Sequence, residues 1–219
     1  MKASTNSTDV SIDLVKENVK IDGILTIPEN ATSIVLFVHG SGSSRFSPRN
    51  QYVARSLTQL NIATLLMDLL TPNEEAIDEE TRQFRFDIPL LTRRLLDVTA
   101  WIHENQKTHA MTIGYFGSST GAAAALFAAA QEGTSINAVV SRGGRPDLAI
   151  PVIHKVTAPT LLIVGGDDEG VIDLNREAYD LLQPKKRLTI VPGATHLFEE
   201  LGKLEEVAHL AGAWFKEHL

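Results

Sequence analysis

Ile113-Gly114-Tyr115-Phe116-Gly117-Ser118-Ser119-Thr120-Gly121-Ala122 sets the pattern G-x-S-x-G between a short apolar, β-like run and the alanine-rich segment Ala122 to Ala125. A chain that turns sharply from strand into helix lifts the side chain at the turn above the sheet edge. That turn closes only when its flanking positions are tiny, because larger side chains would strike neighbouring backbone. Gly117 and Gly121 frame Ser119 in this way. Ser118 would have Phe116 and Thr120 at the same offsets, and a turn centred on it would be crowded. The spacing predicts a nucleophile elbow with Ser119, not Ser118, as the candidate nucleophile.

The motif alone is a weak signal, since glycine and serine are common residues, and the downstream sequence adds the rest. Thr160-Leu161-Leu162-Ile163-Val164-Gly165-Gly166-Asp167-Asp168 is an apolar run breaking into glycines and acids, the pattern of a buried parallel strand whose end presents a carboxylate. Asp167, Asp168 and Glu169 are adjacent. Asp168 stands three residues after Gly165 and three before Val171, and it and Asp167 are the candidate acids. Arg187 to Val191 reads as one more strand, stopped by Pro192-Gly193, and His196 follows on the loop before the last helical segment. Of seven histidines it is the best placed general base. His103, His109, His209 and His218 lie in or beside amphipathic segments and are expected to be solvated, and His154 has no motif around it. Serine, acid and histidine thus follow three strands in the order Ser, Asp, His.

Upstream, His39-Gly40-Ser41-Gly42 follows the apolar strand Ile34 to Val38, where glycines let a loop come close to a reacting carbonyl. The amides of Ser41 and of Thr120, the residue after the nucleophile, are the expected oxyanion-hole donors. A phosphate-cradling loop is excluded, because no G-K-[ST] follows and no Rossmann fingerprint opens the first parallel unit. Arg45 and Arg49 follow the oxyanion loop, and Arg142 and Arg145 follow the strand ending near Ser141. Ligands bind at the carboxyl ends of strands in open α/β sheets, so these arginines are candidate substrate contacts for an anionic group. Pairing with the abundant Asp and Glu is the competing reading.

The chain has 219 residues, 20 Lys and Arg against 27 Asp and Glu, and a formal charge of −7, which offers no broad footprint for nucleic acid or anionic lipid. With no cysteine, disulfides, thiolate metal sites and a cysteine nucleophile are excluded. No metal site is expected from the Asp167 to Glu169 cluster, which lacks a histidine or further carboxylate at ligand spacing. The opening residues 1–6 carry no apolar leader and no run is long enough to span a bilayer, so a cytoplasmic address is expected.

Val10 to Val15 and Val19 to Ile27 alternate polar and apolar residues around Glu17-Asn18, predicting an opening antiparallel hairpin. Ser33 to Val38, Ile62 to Met67, Met111 to Phe116, Ala138 to Ser141, Thr160 to Val164 and Leu188 to Val191 are short apolar runs separated by helical patterns, the signature of a mostly parallel sheet covered on both faces. Leu91, Leu95, Val98 and Ile102 form one helical stripe and Leu204, Val207, Ala211 and Trp214 another; both are expected in the core. The charged run Glu74 to Arg85 reads as a solvated helix or loop. The stretch from Ser141 to Thr160 is too short for a lid domain, so a shallow or open site is expected.

Over nearly its whole length the chain resembles the α/β-hydrolase superfamily, most closely its small, lidless dienelactone hydrolase-like branch. The likeness is carried by VLFVHGSGSSRFSPRN, IGYFGSSTGAAAAL, and LLIVGGDDEGVIDLN with PGATHLFEE, where G-x-x-D-x-x-V is the spacing that recurs at the acid loop of such hydrolases. The resemblance implies one α/β-hydrolase domain over residues 1–219, with a mostly parallel central sheet flanked by helices, an N-terminal hairpin and no lid. It implies a Ser119-Asp168-His196 triad acting on a small ester or lactone through an acyl-enzyme, with no cofactor. The namesake enzymes use a cysteine nucleophile; Ser119 occupies that place here. An acyltransferase or perhydrolase on the same triad, and a non-catalytic binding module that keeps the fold, are the alternatives.

Overall fold

The computed structural model describes residues 6–219. The reading of the N-terminus as leaderless therefore lies, for residues 1–5, outside the described residues. Period-two alternation builds the opening hairpin: β1 (Asn6–Leu14) pairs antiparallel with β2 (Val19–Ile27), from Asn6 opposite Ile27 to Leu14 opposite Val19. Ile12, Leu14, Ile21 and Leu25 point into the core. The first strand begins four residues before the Val10 that its alternation marks, because the backbone ladder continues from Asn6 opposite Ile27 to Asp9 opposite Ile24.

The apolar runs that follow are buried on both faces, as parallel strands are when helices cover the sheet, except at the edge strand Lys186–Val191, which is only partly buried. They are β3 (Ser33–Val38), β4 (Ala63–Met67), β5 (Thr112–Ser118), β6 (Ile136–Arg142), β7 (Thr160–Gly165) and β8 (Lys186–Val191). Between them run α1 (Pro48–Thr58), α2 (Pro72–Thr81), α3 (Ile88–Glu104), α4 (Thr120–Glu132), the single turn α5 (Ile150–Ile153), α6 (Glu169–Leu181) and α7 (Lys203–His218). The eight strands lie in the order β1-β2-β4-β3-β5-β6-β7-β8, parallel from β4 onward and antiparallel at β1–β2 and β2–β4. This is the architecture of an α/β-hydrolase.

Two helical layers sandwich the sheet. On one side Leu91, Leu95, Val98 and Ile102 of α3 and the alanines of α4 pack on Ile34, Leu36, Tyr115 and Leu162. On the other Val53 and Leu57 of α1 with Val207, Ala211, Trp214 and Phe215 of α7 pack on Val35, Phe37, Phe116 and Val140. Leu204 is only partly buried. No helix among the described residues is long and apolar enough to cross a membrane.

From β3 the chain crosses to β4 on one side, then returns past β3 to β5 on the other, so successive crossovers diverge at the β3–β5 border. Diverging connections leave a crevice above the carboxyl ends of those strands. The loop His39 to Gly42, the expected oxyanion loop, leaves β3 and the elbow leaves β5 at this border, where Val38 lies opposite Gly117. Between β6 and β7 the chain makes only a short 3₁₀ turn at Pro146–Ala149 and α5, and no lid is inserted there.

Candidate active site

Ser119 sits between β5 and α4 with φ 51° and ψ −123°, a left-handed conformation costly for a residue with a Cβ. Backbone contacts hold it there: its N–H donates to the Arg142 carbonyl (3.2 Å), and its own carbonyl accepts from Ala122 (3.1 Å) and Arg145 (3.0 Å). A Cβ on Gly117 would lie 2.4 Å from Ala122 Cα, and one on Gly121 2.2 Å from the Val38 carbonyl oxygen. The strand, the turn and the oxyanion loop therefore meet backbone to backbone. The adjacent Ser118 is buried and donates to Asn50 Oδ1 (3.1 Å).

His196 Nδ1 is 2.7 Å from Asp168 Oδ2. A carboxylate accepts, so Nδ1 is the donor of this pair and Nε2 is left facing away from Asp168. Asp167 is exposed, and its amide donates to the Ala194 carbonyl (3.0 Å) while Gly166 donates to Val191 (2.8 Å), joining the acid loop to the histidine loop. The Glu200 carboxylate closes the histidine loop by accepting from Thr195 N–H (3.1 Å) and Oγ1 (2.6 Å). The imidazole rests on Gly143, where a Cβ would lie 3.5 Å from its Cε1 and Nδ1. One strand end, Arg142-Gly143, thus touches both the elbow and the imidazole. No hydrogen bond joins Ser119 Oγ to His196 among the described residues.

The amides of Ser41 and Thr120 have no hydrogen-bond acceptor among the described residues. Thr120 begins α4, where helical amides lack intrahelical partners and the dipole favours negative charge. Ser41 Oγ donates to the Arg85 carbonyl (3.2 Å) and stands 3.0 Å from Thr120 Oγ1, which donates to it in turn. Burial pushes the His39 pKa below its ordinary value, and its hydrogen bonds fit the neutral ring: Nδ1 faces the Gly40 carbonyl (2.9 Å) and Nε2 accepts from Leu69 N–H (3.0 Å). The oxyanion loop is thereby pinned to the chain leaving β4.

The four arginines differ in their surroundings. Arg45 pairs with Asp68, lies 3.7 Å from Asp22 and stacks on Phe46. Arg49 pairs with Glu199 at 2.6 Å, and Arg145 forms a two-pronged pair with Asp147 at 2.8 Å. Arg142 is 6% exposed, with no carboxylate partner among the described residues. Its guanidinium reaches Asn50 Oδ1 at 3.5 Å and the Phe198 ring at 5.9 Å. Burial, with the charge of Arg49, lowers its pKa to about 10, which leaves it cationic at neutral pH.

A cavity of about 280 Å³ adjoins the oxyanion loop, lined by Gly40 to Ser43 and by Asp68, Glu75, Asp78, Glu79 and Arg85. Burial, then Asp68 and Glu79, raises the Glu75 pKa. The run Glu74 to Arg85 is therefore more than a solvated surface: Asp78 is 2% exposed and organises the turn after α2. Nor is His218 solvated, since its ring packs edge-on against Trp214 and burial lowers its pKa. No motif marks Asp78, Arg85 or Asn50: Asp78 is closed over by a turn six and seven residues on, while Asn50 and the Arg85 carbonyl make their contacts across long sequence separations.

The sequence matches the model of the Dienelactone hydrolase family over residues 21–214. Two curated proteins of Mycobacterium tuberculosis, both provisionally named phosphoribosyl transferases, are 54% identical over 211 residues, which are 96% of this chain and 47% of theirs. The chain thus spans about half the length of these relatives. The crystal structure of a dienelactone hydrolase from Anabaena variabilis is 55% identical, with a TM-score of 0.96 over 98% of this chain and 99% of that one. Est1E from Butyrivibrio proteoclasticus shares the fold at 17% identity, with a TM-score of 0.80 over 95% and 98% of the two chains.

Proposed function

The chain belongs to the dienelactone hydrolase family, and from that premise we propose a serine hydrolase, residues 1–219 forming one catalytic unit, that cleaves a small carboxylic ester or lactone through an acyl-enzyme. The observation that carries this reading is the 2.7 Å pair of His196 and Asp168, set against the same strand end that holds Ser119. His196 Nε2 takes the Ser119 proton as Oγ attacks the ester carbon. The amides of Ser41 and Thr120 stabilise the oxyanion, and Asp168 stabilises the imidazolium. Collapse breaks the ester bond, and His196 returns its proton to the leaving oxygen. Water then attacks the acyl-enzyme by the same route in reverse, releasing the acid and restoring Ser119.

An anionic substrate group is best matched by Arg142, the one of the four arginines without a carboxylate partner among the described residues. Its test compares esters of equal size with and without a carboxylate: Arg142→Met raises KM for the charged ester alone, and equal effects on both would leave this arginine as scaffold. The transferase name of the mycobacterial relatives belongs to proteins about twice as long and is not extended to this chain.

The test of the reading as a whole is labelling by a fluorophosphonate probe, with a panel of p-nitrophenyl esters and small lactones. Wild-type protein is labelled on Ser119 and turns over members of the panel, whereas Ser119→Ala does neither. Unlabelled wild-type protein would remove the nucleophile and favour a binding module.

A further inference from the structure

Asp78 makes an unusual set of contacts for a residue in a charged helix. Its Oδ1 accepts from the amides of Phe84 (2.7 Å) and Arg85 (2.9 Å), and its Oδ2 accepts from Arg85 Nε at 2.6 Å. Arg85 Nη2 adds a bond to the Asp78 carbonyl at 2.9 Å. Burial alone would raise this carboxyl's pKa, but the Arg85 and Phe84 donors outweigh it and the net shift is downward. One buried carboxylate thus fixes where the Arg85 carbonyl points. That carbonyl accepts the Ser41 hydroxyl, and Ser41 Oγ accepts the Thr120 hydroxyl. A Cβ on Gly42 would lie 3.4 Å from Arg85 Nη1, so the guanidinium also backs the loop.

Building on the oxyanion assignment above, we propose that Asp78 and Arg85 are positioning residues for the oxyanion hole, acting through the Arg85 carbonyl and the Ser41 and Thr120 hydroxyls. The chain of contacts links α2, the oxyanion loop and the start of α4. Ser41 and Thr120 are the two residues whose amides meet the developing charge, and their side chains bond to each other. Neither Asp78 nor Arg85 touches the reacting atoms. Preorganised donors are worth most when they need not reorient during reaction, and loss of one such donor typically costs about 10²-fold or more in kcat. Loosening both without removing either should cost less.

The test uses Asp78→Asn, which keeps the shape but sets an amide against Arg85 Nε, with Arg85→Met as the second variant. Each lowers kcat by roughly 10-fold to 10²-fold with KM changed less than about 2-fold, the signature of lost transition-state binding. In a Ser41→Ala background, where the link is already cut, Asp78→Asn costs less than about 3-fold more. Full additivity, or unchanged kcat in both variants, overturns the proposal. Amide hydrogen exchange provides a readout independent of activity: in Asp78→Asn, residues 39–46 exchange faster together with residues 82–87. If residues 82–87 open while 39–46 stay unchanged, the clamp does not reach the oxyanion loop and the proposal falls. A wild-type protein that hydrolyses no ester and takes no label on Ser119 refutes the hydrolase reading instead, and leaves the exchange experiment to decide the clamp.

Discussion

The elbow at Gly117 to Gly121 and the excursion from Leu69 to Arg94 both border the candidate site, yet they are held by opposite means. The elbow is steric: glycines at 117 and 121 let backbone meet backbone, and no polar side chain is required to shape the turn. The excursion is polar. Thr71 and Glu74 cap α2 reciprocally, Arg94 is buried and binds Glu74 and the Leu69 carbonyl, and Asp78 gathers the turn at Arg85. A steric turn is written in adjacent residues and is almost intolerant of change. A polar clamp joins side chains and backbone from three to 25 residues apart, and each of its parts can be weakened separately.

The sharpest way to break the comparison is at the elbow serines. Ser119→Ala and His196→Ala are each expected to lower kcat for a p-nitrophenyl ester by about 10⁴-fold or more. Ser118→Ala keeps most activity, since its hydroxyl is spent on Asn50. Activity retained in Ser119→Ala refutes the elbow assignment. Next in size is the acid: Asp168→Asn loses on the order of 10⁴-fold in kcat by disturbing the imidazole tautomer, whereas Asp167→Asn stays within a few-fold. A crippled Asp167→Asn beside a near-normal Asp168→Asn would reverse the roles.

A smaller effect separates sterics from conformational freedom. Gly121→Ala forces a Cβ into the Val38 carbonyl and is expected to cost about 1–3 kcal/mol or more in chemical denaturation. Gly170→Ala, in α6 with open space around it, is expected to stabilise by roughly 0.5–1 kcal/mol. Equal losses at the two positions would contradict the contact geometry.

The smallest effect concerns the pin on the oxyanion loop. The His39 pKa is lowered in the folded protein, so below the unfolded value of roughly 6.5 the unfolded chain binds a proton that the native ring refuses. The His39 contribution is fully present above that pH and is lost as pH falls from there toward the lowered folded value. His218 acts with the same sign, so the comparison is between variants. In His39→Gln the fall in Tm between pH 7 and pH 5 is shallower than in wild type, and an identical slope would mean that the ring is protonated in place.

The parts of this molecule legible in sequence are those set by local sterics and period. The strands, the helical stripes, the elbow glycines and the loops bearing Asp168 and His196 follow from neighbours within a few residues. The arginines show where that reasoning ends. Sequence order sets Arg45, Arg49, Arg142 and Arg145 after loops expected to border the site, but which of them meets a carboxylate depends on partners as distant as Glu199 from Arg49. Asp78 is equally opaque: within a run of charges nothing local separates the one buried acid from its solvated neighbours, because its burial is decided by the turn that folds back over it.

The cross-links from Gly166 to Val191 and from Asp167 to Ala194 make the acid loop and the histidine loop a single mechanical part. Ser119 and the proposed oxyanion donors belong to another, locked together where Gly121 meets the Val38 carbonyl, and Arg142-Gly143 touches both parts. A shift of either the acid loop or the histidine loop therefore carries the other, and the His196–Asp168 pair moves as one piece. Two residues mounted on unlinked loops would lack that coupling.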